Sequence, residues 1–201
     1  MKPSFIYRRL FLYRLVMTLL YRGRYRCRAR EMSRLFRPEH QCVLELCFGD
    51  TLIAVHCRDT GRQWTGLDVN PTFVTRAKKD GHDAHLQDIF TIETLPVADV
   101  CVMMGSFYHF HDQAVTLLKR MMTAAPEVIL SEPVRNLSSR RGLIGFLAKR
   151  AANAGKGAET FRYNETNFKA MLNNAANKVG FTWEQVQLNR DMIVRLVRES
   201  A

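Results

Sequence analysis

The feature that most constrains the fold is an alternation of short apolar segments with helical segments, which begins at Gln41. Asn70 and Pro71 place a proline at the start of one of these helices, the position at which its fixed backbone angle fits. The alternation predicts right-handed crossovers and a mainly parallel sheet with helices on both faces, which defines an α/β protein. Strands are predicted at 42–46, 63–68, 84–86, 100–104 and 127–131, and helices at 51–58, from Pro71 onwards and at 113–122.

The last third of the chain has a different pattern. A helix is predicted from Asn164 to Val179, where Gly180 ends it. Two apolar segments follow at 181–187 and 192–197, and the turn residues between them indicate an antiparallel hairpin. With this hairpin the sheet has seven strands. Residues 133–163 are basic and rich in glycine, and we expect them to form an insertion that serves as a substrate lid.

The basic residues are concentrated at the start of the chain. The net charge is +11, and residues 1–30 hold nine of the 30 Lys and Arg residues but none of the 19 Asp and Glu residues. Between these charges, apolar residues recur at helical spacing, so residues 1–40 are predicted to be a basic amphipathic helical arm before a domain at 41–201. Two interpretations remain open. The helix packs on the domain with its arginines solvated, or it meets an anionic surface or acidic partner.

The residues suited to chemistry follow the predicted strands. Open parallel sheets bind ligands in the crevice beyond the carboxyl ends of their strands. Asp68 ends the second strand, where a carboxylate can accept hydrogen bonds from a ribose diol, and Asp88 follows the third. Gly49 lies in the turn after the first strand, where a ligand approaches the backbone closely. This pattern predicts a nucleoside-binding edge.

These segments resemble those of the class I (seven-stranded, Rossmann-like) S-adenosylmethionine-dependent methyltransferases, over residues 40–200. Residues 43–50 are similar to the first motif of that family, Gly66–Asp68 to its ribose-binding acid, 87–89 to its adenine-binding acid and 96–104 to its fourth strand. The resemblance implies S-adenosylmethionine as cofactor and S-adenosylhomocysteine as product. The cofactor contacts that it implies are Glu45, Cys47, Phe48, Gly49, Asp68, Val69, Asp88, Ile89, Met104 and Gly105.

The turn after the first strand departs from the family pattern. Cys47 and Thr51 stand where the family has its outer two glycines, and only Gly49 remains. The chain also lacks a G-x-G-x-x-G fingerprint, which argues against a nicotinamide dehydrogenase. A non-catalytic partner that keeps the fold is therefore one alternative.

The candidate catalytic residues follow the fourth strand, at Tyr108 and His109. Methyl transfer from a sulfonium is an in-line displacement that mostly needs alignment and removal of a proton. Histidine suits that removal near neutral pH, although His109 is also interpretable as a structural histidine. Tyr108 either hydrogen-bonds the acceptor or packs. No metal site is expected, because His82 and His85 have no third ligand nearby in sequence.

The first functional interpretation is methylation, on oxygen, of a small apolar or aromatic acceptor. A fainter resemblance is to the small methyltransferases of aryl-polyene and other polyketide-type lipid biosynthesis. It would place the acceptor on an acyl carrier protein or a membrane lipid, with the arm on that acidic partner or on an anionic membrane surface. The high isoelectric point supports an RNA methyltransferase as alternative, although no RNA-binding module is recognisable. An odd count of five cysteines favours the reducing cytoplasm, with peripheral attachment to the inner membrane surface as a further expectation.

Overall fold

The computed structural model describes residues 10–21, 23–135 and 161–199. The helices are α1 (Leu10–Leu20), α2 (Tyr25–Ser33), α3 (Leu52–Asp59), α4 (Pro71–Lys79), α5 (Ala114–Ala124) and α6 (Glu165–Val179), with a 3₁₀ helix at Phe107–Gln113. The strands are β1 (Cys42–Leu46), β2 (Gln63–Asp68), β3 (Asp83–Leu86), β4 (Val100–Met104), β5 (Glu127–Pro133), β6 (Phe181–Leu188) and β7 (Asp191–Arg198).

The seven strands form one sheet in the order β3-β2-β1-β4-β5-β7-β6. Strands β1 to β5 pair in parallel, and β7 runs antiparallel to both β5 and β6. The predicted α/β fold with a closing hairpin is therefore confirmed. The chain moves outward from β1 to β3 and then returns to place β4 beside β1. This reversal opens a crevice at the carboxyl ends of β1 and β4.

Apolar side chains cover both faces of the sheet. In β5, Val128 and Leu130 face a cluster that α5 and α6 cover, whereas Ile129 faces a second cluster beneath α2, α3 and α4. Neighbouring strand residues point to opposite faces, so this division follows directly from the strand period. The uninterrupted apolar character of β4 and β5 is the pattern of strands buried on both sides.

The structure differs from the sequence-based prediction in the bounds of several elements, most clearly in β5, α5 and α3. Strand β5 continues to Pro133, two residues past its predicted end, because Asp191 pairs with Pro133 across the hairpin. Helix α5 begins at Ala114, and the seven residues before it form a 3₁₀ helix that the sequence did not indicate. Thr51 is the N-cap of α3 and lies outside the helix predicted to include it.

The described residues of the arm form two helices where the apolar spacing predicted one. Gly23, with a φ of +80°, lies between α1 and α2. Helix α2 packs on the sheet through Ala29 and Met32, which belong to the cluster beneath α3 and α4. Within the described ranges, no helix is long and apolar enough to cross a membrane. Residues 136–160 of the predicted lid insertion lie outside the described residues.

Candidate functional site

The turn after β1 keeps the backbone path of a glycine-rich turn. Cys47 and Gly49 both have positive φ angles, of 55° and 56°. The Cys47 N–H donates to the Leu67 carbonyl at 2.7 Å, which ties the turn to the end of β2. A side chain in this left-handed region costs roughly 1–2 kcal/mol, so Cys47 carries strain that a glycine would avoid. Thr51 has an ordinary φ of −79°, so the third glycine position imposes no such requirement.

The Asp68 carboxylate holds this turn against β2. Gly49 N–H donates to Asp68 Oδ2 at 3.0 Å, and Asn70 N–H donates to Oδ1 at 2.8 Å. Burial raises the pKa of Asp68 to about 6, while these backbone hydrogen bonds act in the opposite direction. The Val69 N–H is a third backbone donor to this carboxylate. An ionised carboxylate has about four acceptor positions, so it can also accept from a bound ligand.

The structure places Asp88 close to Asp68 along the same edge. Residue Gln87 links them, because its N–H donates to the Asp68 carbonyl at 3.0 Å. The Asp88 side chain accepts the Phe90 N–H at 3.0 Å. Ile89, the residue between Asp88 and Phe90, is buried. The two acids and a buried apolar residue therefore lie together at the ends of β2 and β3.

The predicted cofactor residue Glu45 is enclosed in the protein. Its side chain is fully buried, and Trp64 Nε1 donates to its Oε2 at 2.9 Å. Burial raises the pKa of Glu45 well above the usual range of a glutamate. The Trp64 ring covers Gly66, where a Cβ would lie 2.1 Å from it, and Phe48 packs edge to face on the same ring. Glu45 and Phe48 thus form the support beneath the turn.

The remaining predicted cofactor positions lie at two strand ends. Val69 follows β2 and is exposed, Met104 ends β4 half-buried, and Gly105 has a φ of +68°. Because β1 pairs with β2 on one side and β4 on the other, these positions flank the turn after β1.

Tyr108 and His109 lie together in the 3₁₀ helix after β4. Their ring centroids are 4.0 Å apart, with Tyr108 buried and His109 half-buried. The Arg162 guanidinium lies over the Tyr108 ring, 3.9 Å from the ring centroid. Phe107, beside them, stacks on Tyr163 at 6.1 Å. The chain therefore has an aromatic wall next to the ends of β4 and β5.

A buried ion pair joins the arm to the same edge. Arg28 Nε lies 2.5 Å from Asp191 Oδ2 and donates to Ser131 Oγ at 3.1 Å. The guanidinium occupies the space beside Gly105, where a Cβ would lie within 2.5 Å of both of its terminal nitrogens. The sequence analysis missed this cluster, because nothing distinguishes Arg28 from the other bases of the arm.

A second contact places α1 against the turn after β1. Arg14 donates to both carboxylate oxygens of Asp50, with an Nη2–Oδ1 distance of 2.6 Å. Asp50 directly follows Gly49 and is buried. The arm therefore contacts the edge of the sheet at both of its helices.

Sequence reasoning also missed Glu132, which lies near the end of β5. The rule that selected Asp68 and Asp88, an acid at the carboxyl end of a strand, would have found it. It was overlooked because the strand was predicted to end at Ser131.

Comparisons with known proteins agree with this arrangement. Residues 44–125 match the family model described as a methyltransferase domain. Human N-acetylserotonin methyltransferase, solved with S-adenosylmethionine, is 19% identical, with a TM-score of 0.64 over 97% of this chain and 58% of its own. The mitomycin 7-O-methyltransferase MmcR is 18% identical, with a TM-score of 0.61 over 88% of this chain and 55% of its own. The plantazolicin methyltransferase BpumL is 11% identical, with a TM-score of 0.69 over 97% of this chain and 95% of its own.

The chain thus spans little more than half of the length of N-acetylserotonin methyltransferase and of MmcR. A search of the curated proteins found none that matches it.

The family match covers residues 44–125, and the sheet has the class I fold of the methyltransferase structures that it resembles, one of which was solved with S-adenosylmethionine. The residues present fit this cofactor. The buried Asp68 carboxylate ends β2, and the turn at Gly49 keeps a backbone path that a bulky cofactor can approach.

Proposed function

We propose that the protein methylates an oxygen atom of a small apolar or aromatic acceptor, with S-adenosylmethionine as methyl donor. The observation that carries the proposal is the juxtaposition of two sites at one sheet edge. The Asp68 carboxylate is hydrogen-bonded to the turn at Gly49 and would form a nucleoside-binding end, and the aromatic wall around Tyr108 lies beyond β4. The mitomycin 7-O-methyltransferase shares the fold and supports oxygen as the methylated atom.

The cofactor would be held mainly from β1, β2 and β3. Asp68 would accept the ribose hydroxyls, and Asp88 with Ile89 would bind the adenine. Val69 would border the ribose, while Gly49, Met104 and Gly105 would border the methionine end. Glu45, Cys47 and Phe48 would shape the turn that this end approaches.

The chemical step requires alignment and one proton acceptor. Bound S-adenosylmethionine supplies an activated methyl group. His109 would take the proton of the acceptor hydroxyl on a ring nitrogen, as the oxygen–methyl bond forms and the sulfur–methyl bond breaks. Tyr108, buried between His109 and Arg162, would orient the acceptor from the aromatic wall.

The arm supports a finer proposal, that the acceptor is presented by a carrier protein or a membrane lipid. Leu15 and Leu19 of α1 are 44% and 69% exposed, and Arg24, Arg26 and Arg30 around α2 are exposed as well. Exposed apolar residues near several bases are typical of helices that lie at an anionic interface.

Calorimetry with S-adenosylmethionine tests the proposal. Replacement of Asp68 by alanine should weaken binding by about 1.5–3 kcal/mol, the range for a hydrogen bond to a charged group. Asp59→Ala, an exposed acid at the end of α3, is the matched control and should leave affinity unchanged. Equal affinity of the wild type and a folded Asp68→Ala protein would contradict the placement. Absence of binding to the wild type would instead favour a non-catalytic partner.

A further inference from the structure

The carboxyl group of Glu132 is enclosed near the carboxyl end of β5 and has no role in the site described above. Its side chain is 0% exposed. Val128 and Leu130 precede it at the strand period and face the apolar cluster under α5 and α6. Glu132 therefore belongs to the same apolar face. A polar group in such surroundings costs free energy unless it is hydrogen-bonded.

Among the described residues, one of its two oxygens has a hydrogen-bond partner. Oε2 accepts the N–H of Phe107 at 3.2 Å. Oε1 is buried and has no hydrogen-bond partner in the part of the chain that the structure describes. The nearby Arg28 guanidinium is already held by Asp191 and Ser131. Since nearly all buried polar atoms in proteins are paired, this oxygen, unpaired among the described residues, has hydrogen-bonding capacity that a ligand could use.

The side chains beside this carboxyl group are aromatic rings. Phe107, whose backbone binds Glu132, stacks on Tyr163 with centroids 6.1 Å apart and meets Phe168 edge to face. Tyr163 and Phe168 are themselves 5.1 Å apart. Sites for flat, largely apolar molecules are typically lined by aromatic and apolar side chains with a small number of placed polar groups.

Burial also sets the protonation state. It raises the pKa of Glu132 to about 8, and Asp191 acts in the same direction, while Arg28, the Phe107 N–H and Arg162 oppose it. At pH 7 the carboxyl group is therefore mostly un-ionised. If Oε2 accepts the Phe107 N–H, then Oε1 carries the proton and donates. The charged or titratable groups facing it are Arg28 from α2, Asp191 from β7, Tyr21 after α1, and Arg162 and Tyr163 before α6.

We propose that Glu132 binds the methyl acceptor, by donating a hydrogen bond from its un-ionised carboxyl group to a carbonyl or hydroxyl oxygen of an uncharged aromatic molecule. The proposal rests on the proposed function and names its substrate class. Glu132 is then a specificity residue: it favours neutral oxygen-bearing rings over cationic ones, while His109 remains the proposed proton acceptor.

Three variants and two probes test this assignment. The probes are acetophenone, a neutral ring with a carbonyl oxygen, and benzylamine, a cationic ring. Both are titrated by NMR with and without S-adenosylhomocysteine. Glu132→Gln keeps an oxygen for the Phe107 N–H and presents an amide N–H in place of the acid proton, whereas Glu132→Leu presents no donor. Glu127→Gln is the matched control, a buried glutamate at the other end of the same strand.

Acetophenone should bind the wild type, Glu132→Gln and Glu127→Gln with similar affinity, and Glu132→Leu about 3- to 10-fold more weakly, the range for one neutral hydrogen bond. Affinity of the wild type should fall as pH rises through about 8, and that of Glu132→Gln should not. The pH comparison decides the question even if Glu132→Leu does not fold.

Three results would overturn the proposal: no binding of acetophenone to the wild type, equal affinities and pH profiles in all variants, or tighter binding of benzylamine that Glu132→Gln abolishes. Loss of S-adenosylhomocysteine binding alone would count against the proposed function and not against Glu132.

Discussion

If Asp68 binds the ribose as proposed, its protonation links cofactor binding to pH. The carboxyl group is buried at the end of β2, and this burial raises its pKa from 3.8 to about 6. The folded protein therefore binds this proton more tightly than the unfolded chain, so the contribution of Asp68 to stability falls as pH rises from about 4 to about 6. Ribose hydroxyls need the ionised form as acceptor, so the ligand and the proton compete for one group.

We therefore expect the affinity for S-adenosylmethionine to fall as pH is lowered below about 6, by up to about tenfold for each pH unit. Calorimetry between pH 5 and pH 8 (about one unit below and two above that pKa) measures this slope. Asp68→Asn should bind more weakly at pH 8 and show a much flatter profile. A wild-type affinity that is constant across the range would contradict the role of Asp68 as the ionised acceptor.

His109 is the residue for which a turnover measurement is most informative. If it takes the proton of the acceptor, His109→Ala should lower kcat by roughly a hundredfold or more and leave cofactor affinity nearly intact. His56→Ala, a half-buried histidine on α3, is the control that should leave kcat unchanged. Loss of cofactor binding in His109→Ala would instead assign the side chain to the structure of the 3₁₀ helix.

At the residue scale, sequence reasoning found the acids whose role follows from position along a strand. Asp68 and Asp88 lie where strand ends predicted them. It did not find Arg28 or Asp191, because their pairing joins residues 163 positions apart in a buried contact. Such a pair depends on how α2 and β7 pack, and no local pattern encodes it.

Helix α6 places the aromatic wall, and its N-terminus is held by a reciprocal pair of hydrogen bonds. The Asn164 side chain accepts the Asn167 N–H at 2.9 Å, and the Asn167 side chain accepts the Asn164 N–H at 2.7 Å. Tyr163, which stacks on Phe107, directly precedes this cap. Loss of the cap should therefore affect both stability and the acceptor side.

Replacement of Asn164 by alanine should lower the free energy of unfolding by about 1 kcal/mol, because an N-cap acceptor is lost. Urea denaturation measures the change. Asn174→Ala, at an exposed position inside the same helix, should have no cost, since alanine is the better helix former. Equal destabilisation by both substitutions would show that the cap does not hold the helix start.

At the scale of elements, periodicity predicted most strands and helices within a few residues, including the hairpin and the stop at Gly180. It failed where tertiary pairing sets the bounds. The last two residues of β5, Glu132 and Pro133, adopt the strand conformation because they pair with β7. The arm was predicted as one helix because apolar spacing dominates it, and the break at Gly23 was not recognised.

At the scale of the whole molecule, the arginines of the arm fall into two groups, those in ion pairs with the domain and those exposed to solvent. Arg14 and Arg28 pair with buried acids of the domain, whereas Arg24, Arg26 and Arg30 are exposed. Each base near an anionic bilayer contributes about 1 kcal/mol, so three bases can support measurable attachment. Such attachment weakens with salt, because exposed charges are screened over about 8 Å at physiological ionic strength.

Co-sedimentation should therefore show the protein on anionic vesicles and not on neutral ones. Replacement of Arg24, Arg26 and Arg30 by glutamine should release it. A matched variant with three exposed bases of α3 and α4, Arg58, Arg76 and Lys78, replaced by glutamine should remain bound. Binding to RNA in a parallel competition, without binding to anionic vesicles, would contradict the lipid interface and favour an RNA methyltransferase.

The contact of Arg28 with Gly105 has a consequence for protein engineering. The guanidinium occupies the volume that any Cβ at position 105 would need. An arm transplanted onto a related sheet will therefore dock only if the recipient has glycine at that point, or if the donor arginine is shortened at the same time. In a library of chimeric proteins that combines arms and sheets from different relatives, most members will have a clash between positions 28 and 105. These two positions should therefore be varied jointly.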